Sequence, residues 1–279
     1  MDALIRQFGA HTGTERLGGK SGAQVCRLRF ERGTAILKAA DMSAEYHFYG
    51  QAAPILRAYE IGIPMLLGRA QAGDKYWLAL EDIPYPLPRD SWQTDARLMR
   101  TLARLHSLPA IPLPPGHFAP EWADALTEQA SACFDAALQP RIRQQLDHWR
   151  ASSLFEPECL ISGDPNPGNW GARADGSPVL FDWERFCLAT PAIDLGIVIA
   201  GLGTPAQFAQ VAGVYLRERA AIGCPYHAAG DTLAHEIARA KVWTVAEYLS
   251  LYTAGALAHD AVFAFLTARV PAWLDSLSP

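Results

Sequence analysis

Residues 159–196 read CLISGDPNPGNWGARADGSPVLFDWERFCLATPAIDLG, and three side chains in that stretch are spaced for one kind of chemistry. Asp164 is followed five residues later by Asn169, and Asp182 closes the apolar, strand-like run Val179-Leu180-Phe181 just before Trp183. Moving a phosphoryl group from ATP to a hydroxyl requires a carboxylate that orients the attacking oxygen and accepts its proton. It also requires a second carboxylate and an amide oxygen that hold Mg²⁺ against the phosphates. Asp164 suits the first role; Asp182 and Asn169 suit the second. Pro165, Pro167 and Gly168 make the segment between Asp164 and Asn169 a loop rather than a helix. A loop lets both side chains turn toward one cavity. Turn chemistry alone also accounts for an Asp-Pro and a Pro-Gly pair, so the rest of the chain has to decide.

The 279 residues can form one large domain or two lobes around a cleft, and half of them are hydrophobic. The longest apolar stretches, such as Ile197 to Leu202, are far too short to span a bilayer. Met1 to Arg6 lacks the basic-then-apolar order of a secretion signal. The five cysteines, at 26, 133, 159, 187 and 224, are widely spaced and form no Cys-x-x-Cys pair. Reduced thiols in a cytoplasm are therefore expected, with neither a zinc site nor a disulfide framework. The net charge of −5 argues against nucleic acid as a partner. Residues 1–82 hold 10 Lys/Arg and 9 Asp/Glu, a net of +1, whereas residues 83–279 hold 14 and 20, a net of −6. A near-neutral N-terminal part suits a polyanion. The acidic remainder either focuses a cationic partner or is an ordinary acidic surface.

The first eighty residues read mostly as strands. Ala23 to Phe30 alternates in polarity, Glu31-Arg32-Gly33 turns, and Thr34 to Lys38 runs back, which predicts a hairpin. Ser43 to Tyr49 predicts a short helix with Ser43 as N-cap, and Lys75 to Leu80 another strand. Beyond residue 82 the pattern is helical. Pro84 to Pro88 is a stiff connector. Ser91 is expected to cap a helix reaching Leu108, with Leu98, Leu102, Leu105 and Leu108 at helical spacing. Residues 109–120 contain five prolines and must be a loop. Further helices are expected over 121–138, 140–151, 205–220, 230–255 and 259–275. The reading is an α+β chain, with a small sheet-rich lobe over 1–82, a hinge, and a larger helical lobe over 83–279.

Leu17-Gly18-Gly19-Lys20-Ser21-Gly22 immediately precedes the hairpin. Glycines let backbone amides approach phosphate oxygens closely, so a turn containing Gly19 and Gly22 can cover a nucleotide. A plain surface turn has the same composition. Lys20-Ser21 is not part of a P-loop, because that motif needs glycine at position 14, where threonine stands, and sits between strand and helix. Lys38 is one of four lysines against twenty arginines and ends the apolar run Ala35-Ile36-Leu37. Such a lysine either meets an anionic partner or snorkels to water. In a kinase the equivalent lysine reaches the α- and β-phosphates and pairs with a Glu on the next helix. Glu45, in the predicted short helix, is the candidate partner.

Gly163-Asp164 with Asn169, and Phe181-Asp182-Trp183-Glu184, resemble two motifs of the aminoglycoside phosphotransferase and choline kinase family. These are a loop His-Gly-Asp-x-x-x-x-Asn and a following Ile-Asp-Trp-Glu. Pro191-Ala192-Ile193-Asp194-Leu195 is similar to the family's Pro-x-x-Asp-Leu, whose Asp braces the catalytic loop. Ser162 stands where the family usually has a loop-supporting His. The resemblance runs in order from about residue 17 to 196. It implies a two-lobed protein-kinase-like fold, with a small antiparallel-sheet N-terminal lobe that binds ATP and a larger helical C-terminal lobe carrying the catalytic loop. It further implies that Glu81 to Ile83 form the hinge, where main-chain groups of Glu81 and Ile83 grip the adenine edge. Leu102-Ala103-Arg104-Leu105-His106 resembles a family helix motif, Leu-Ala-x-Leu-His, and His106 is expected to be structural rather than catalytic.

The same resemblance places a small hydroxylated acceptor between the catalytic loop and the C-terminal helices. Glu184, Trp243, Glu247 and Tyr248 are the candidate contacts. Aromatic faces with a carboxylate hold a choline-like or amino-sugar cation; equally, Trp and Tyr on an Ala-rich helix can fill the core. A protein Ser/Thr kinase is disfavoured, because the eight residues between Asp182 and Pro191 leave no room for an activation loop. A catalytically silent nucleotide-binding module is the alternative, and such modules usually lack the base or a metal ligand. Here Lys38, Asp164, Asn169 and Asp182 are all present. The expectation is an ATP- and Mg²⁺-dependent phosphotransferase acting on an aminoglycoside, choline or a related amino alcohol or sugar, with no membrane partner.

Overall fold

The predicted hairpin forms the centre of a five-stranded antiparallel sheet. Its strands are β1 (His11–Leu17), β2 (Gln24–Phe30), β3 (Gly33–Ala40), β4 (Leu66–Ala72) and β5 (Lys75–Glu81), in the order β1-β2-β3-β5-β4. This computed structural model describes residues 5–6, 8–17, 24–40, 43–87, 92–256 and 260–277. Alternation in β2 and β3 puts Leu28, Phe30, Ala35 and Leu37 on one buried face. The helix after β3 is longer than the sequence suggested: α1 spans Ala44–Ala58. Phe48, Tyr49, Ala52, Ala53 and Leu56 make a buried stripe at helical spacing, and that packing carries the helix through Pro54. Ser43 stands at its N-cap but makes no side-chain capping bond.

The chain then enters the helical lobe through β6 (Tyr85–Pro86), α2 (Ala96–Leu105), α3 (Asp124–Ser131) and α4 (Gln139–Trp149). Asp95, not Ser91, caps α2: its carboxylate accepts the Arg97 amide at 2.8 Å. Ser91 lies outside the described residues, and the helix ends at Leu105, short of Leu108. The predicted helix over 121–138 is only the eight residues of α3.

Four short strands frame the motif region, β7 (Cys159–Ile161), β8 (Trp170–Ala172), β9 (Pro178–Leu180) and β10 (Cys187–Ala189). β7 pairs with β10, and β8 lies between β6 and β9. Four helices complete the lobe, α5 (Ala192–Val198), α6 (Pro205–Ala221), α7 (Gly230–Thr253) and α8 (Asp260–Leu277).

One apolar core runs from Phe48 and Leu56 of α1 through Trp183 and Phe186 to Trp243 and Trp273. Phe48 stacks on Trp183 with ring centres 4.7 Å apart. Behind the cleft, Leu180 N donates to Gly62 O at 2.8 Å. A Cβ at Gly62 would sit 2.0 Å from Pro178 O, so only glycine permits this approach between lobes. The five cysteines are free thiols. No described helix is long and apolar enough to cross a membrane.

Candidate active site

Lys38 reaches out of β3 into the cleft. It is buried, and its Nζ lies 2.5 Å from Glu45 Oε2 and 2.6 Å from Asp182 Oδ1. Burial works against its charge, but the two carboxylates outweigh it, so its pKa is raised. Glu45 is buried on α1, and burial pushes its carboxyl up while Lys38 opposes. Its Oε1 also accepts the Trp183 amide at 3.3 Å. The strand lysine, the helix glutamate and the carboxylate after β9 thus meet at one point, across both lobes.

Asp182 has φ +67°, a left-handed conformation that costs an ordinary side chain free energy and clusters at functional sites. The surroundings over-determine it. Phe181 N donates to Asn169 O at 3.0 Å on one side, and the Trp183 amide meets Glu45 on the other.

Asn169 donates its Nδ2 to Asp164 O at 2.9 Å and to Asp164 Oδ2 at 3.1 Å. Asn166 donates to Asp164 Oδ1 at 2.8 Å. Burial raises the Asp164 carboxyl and the Asp182 charge adds to it, while Asn166, Arg185 and Asn169 pull it down. Asp164 is therefore oriented by two amides, and a poised carboxylate of that kind suits a proton acceptor.

The loop itself hangs from Asp194, which is fully buried on α5. Asp194 accepts Ser162 N at 2.9 Å, Gly163 N at 2.8 Å and Ser162 Oγ at 3.3 Å. Ser162 is thus tied to the same carboxylate that braces the backbone. Gly163 has φ +78°, and a Cβ there would lie 2.3 Å from Arg185 O, so the loop is clamped between α5 and the segment after Asp182.

Mg²⁺ favours hard oxygen ligands and is commonly held by one or two protein side chains together with substrate phosphates. Asp182 and the Asn169 side-chain oxygen fit that donor set: Asn169 uses its nitrogen for Asp164, leaving the oxygen available. No group of three or more His, Cys, Asp or Glu ligands gathers among the described residues.

The expected acceptor cluster is different from its sequence reading. Trp243 is fully buried, its Nε1 donates to Glu121 O at 3.0 Å, and Phe155 packs edge-on against its ring. It is a core residue. Glu247 is clamped by Arg185, whose Nη2 lies 2.9 and 2.7 Å from its two oxygens. The Arg185 guanidinium also sits 4.0 Å from the Phe118 ring centre and 5.9 Å from that of Trp243. The aromatic faces and carboxylate do hold a cation, and it is the chain's own. Arg185 gave no signal in the sequence, because its partners lie on a proline-rich loop and on α7. Tyr248 is half-buried, with a hydroxyl that finds no partner among the described residues. Glu184 faces the acidic cluster, and burial followed by the Asp182 charge raises its carboxyl to about 7.

At the end of β5, where a hinge was expected, the Glu81 carboxylate is held by Arg173 Nε and Nη2 at 2.9 and 2.8 Å, and its amide donates to Met65 O. Ile83 packs over Gly171. The glycine-rich residues 18–23, with Gly19 and Gly22, lie outside the described residues; the strands on either side pair antiparallel, Leu17 against Val25.

A small antiparallel-sheet lobe, a larger helical lobe and a lysine–glutamate–aspartate contact between them define a protein-kinase-like fold. The phosphotransferase enzyme family model matches residues 13–229, and the chain belongs to that family. Among solved structures, a thermostable mutant of the aminoglycoside phosphotransferase APH(4)-Ia has a TM-score of 0.67 at 12% identity, covering 99% of this chain and 98% of that one. Spectinomycin phosphotransferase APH(9)-Ia, in complex with ADP and spectinomycin, has 0.66 at 14%, covering 99% and 98%. Choline kinase LicA from Streptococcus pneumoniae has 0.63 at 14%, covering 99% and 97%. No curated protein sequence matches the chain.

Proposed function

We propose that this protein transfers the γ-phosphate of ATP to a hydroxyl of a small molecule, an amino alcohol, amino sugar or aminoglycoside. The supporting observation is the convergence of Lys38, Glu45 and Asp182 beside an Asp164 carboxylate oriented by Asn166 and Asn169. Lys38 would neutralise the α- and β-phosphates, released from Asp182 when nucleotide and metal arrive. Asp182 and Asn169 would hold Mg²⁺, which supplies charge neutralisation of the phosphates when bound. Asp164 would orient the acceptor hydroxyl and take its proton, most of the rate enhancement coming from positioning and charge stabilisation. Main-chain groups at Glu81 and Ile83, together with Gly19 and Gly22, belong to this proposal as nucleotide contacts. So do the division into lobes at residue 82 and a cytoplasmic location.

Glu184 is the remaining candidate for an acceptor's ammonium. It has no hydrogen-bond or ion-pair partner among the described residues, unlike Glu247; burial and then the Asp182 charge raise its carboxyl to about 7, against an opposing pull from Lys38. Purified protein with Mg·ATP should form a phosphorylated product, detected by mass spectrometry, with at least one of choline, ethanolamine, amino sugars, aminoglycosides or homoserine. Tight Mg·ATP binding with no turnover on any hydroxyl compound would leave the silent nucleotide-binding module as the reading.

A further inference from the structure

We infer that Glu81 and Asp82 are positioning residues, gripped by arginines from opposite lobes, that fix the crossover between the lobes to the hairpin bearing Asn169 and Asp182; this rests on the phosphotransfer reading above. The chain leaves the sheet where β5 ends on Glu81, and Asp82 follows. Successive side chains of an extended chain turn to opposite sides, and these two carboxylates diverge. Asp82 is held from the sheet: Arg27 Nε lies 2.7 Å from its Oδ2, and Arg27 Nη2 lies 3.2 Å from its Oδ1. Glu81 is held from the helical lobe: Arg173 Nε reaches Oε1 at 2.9 Å and Nη2 reaches Oε2 at 2.8 Å. Both are two-point guanidinium–carboxylate pairs, which restrict orientation as well as distance.

The anchors of the two arginines give the clamp its use. Arg27 on β2 stands opposite Ile36 on β3, two residues before Lys38, so Arg27 and Lys38 rise from the same face of the sheet. The Asp82 side chain is only 6% exposed, where a carboxylate deprived of its guanidinium is costly. Arg173 directly follows β8, at the turn into β9. The other end of that hairpin carries Asn169, just before β8, and Asp182, two residues after β9, and it is closed by Phe181 N donating to Asn169 O. The turn is bonded to the strand entry beside the crossover as well: Arg173 Nη2 donates to Ile63 O at 3.2 Å, and the Met65 amide donates to Glu81 Oε2 at 3.0 Å. One bonded path therefore joins the Lys38 face of the sheet, the main chain of Glu81 to Ile83 and the two residues suited to Mg²⁺. A nucleotide held at its base by the crossover meets the metal residues at a set distance, because both ends are referred to the same pair of carboxylates.

The test measures Mg·ATP affinity by isothermal titration, and amide hydrogen exchange over residues 81–83 without nucleotide. It compares Arg27→Gln and Arg173→Gln with Arg29→Gln, which loses an exposed arginine of the same strand. Affinity should fall about 3–10-fold in the first two variants, and exchange over 81–83 should quicken in both. Arg29→Gln should match wild type in both measurements. With an acceptor in hand, the KM for ATP should rise by the same factor in Arg27→Gln with kcat little changed. Asp82→Asn should mimic Arg27→Gln, and the double variant should lose no more than either single one, since the two share one contact. If Arg27→Gln does not fold, Asp82→Asn carries the same test. Wild-type affinity in Arg27→Gln and Arg173→Gln overturns the inference, even where the melting temperature falls, and so does a double variant whose losses add. A wild-type protein that binds no Mg·ATP would sink the proposed function and leave exchange over 81–83 to judge whether the clamp holds the crossover.

Discussion

Asp164 and Asp182 bring the same carboxylate into different surroundings, and their substitutions should separate accordingly. Asp164 accepts from the Asn166 and Asn169 amides, whereas the ion pairs of Lys38 are with Glu45 and Asp182, and the proposed function gives Asp164 no task in nucleotide binding. Asp164→Asn should cut turnover by about 10²–10⁴-fold, the range for a positioned general base, while Mg·ATP still raises the melting temperature as in wild type. Turnover within tenfold of wild type would remove Asp164 from its role. Asp182 occupies left-handed backbone, which Asn tolerates. Asp182→Asn should therefore fold but lose the Mg²⁺-dependent part of thermal stabilisation by ATP; equal stabilisation would mean that the metal is held elsewhere. Both residues stood out in the sequence because the proposed phosphoryl transfer needs their chemistry at close spacing. Arg185 did not, since what identifies it is contact with Phe118 and Glu247, far away along the chain.

The elements were legible in proportion to how much apolar surface they bury. The central strands were read from the sequence, β2 by its alternation and β3 and β5 by their apolar runs, whereas β1 and β4, the two edges of the sheet, were not. Edge strands expose one flank to water: β1 reads HTGTERL and β4 reads LLGRAQA, mostly half-buried or exposed, with no hydrophobic period to find. In α1 the proline at position 54 broke the local pattern, but the buried stripe continued. On α7 the sequence left two readings of Trp243 open, ligand contact or core, and the ring is fully buried in the core. Trp243→Ala should consequently cost about 3–5 kcal/mol of stability and lower the melting temperature steeply. It should change the KM for an acceptor no more than the KM for ATP. A well-folded variant with a selectively raised acceptor KM would restore the ligand-contact reading.

At the scale of the molecule, charge balance, the absence of disulfides and the order of a sheet followed by helices could all be read directly, while the single core joining α1 to α7 through Trp183 could not. That core encloses a cation with no carboxylate partner among the described residues. Lys241 on α7 is buried, and its Nζ donates to Ile199 O, at the end of α5, at 2.7 Å. Burial lowers its pKa from 10.5 to about 8. Below about pH 8 both folded and unfolded chains carry the charge, and the folded state bears a constant desolvation cost. Between about 8 and 10.5 the folded chain has released a proton that the unfolded chain still binds, so this group makes stability rise with pH across that window. Lys241→Met keeps the length and drops the charge. Its stability advantage over wild type should be largest below pH 8 and shrink by up to about 3 kcal/mol as pH climbs through the window, read from urea unfolding at pH 7, 8, 9 and 10. A difference that stays flat with pH would show that the ammonium keeps its ordinary pKa in the folded protein, and that α5 and α7 leave it a path to water.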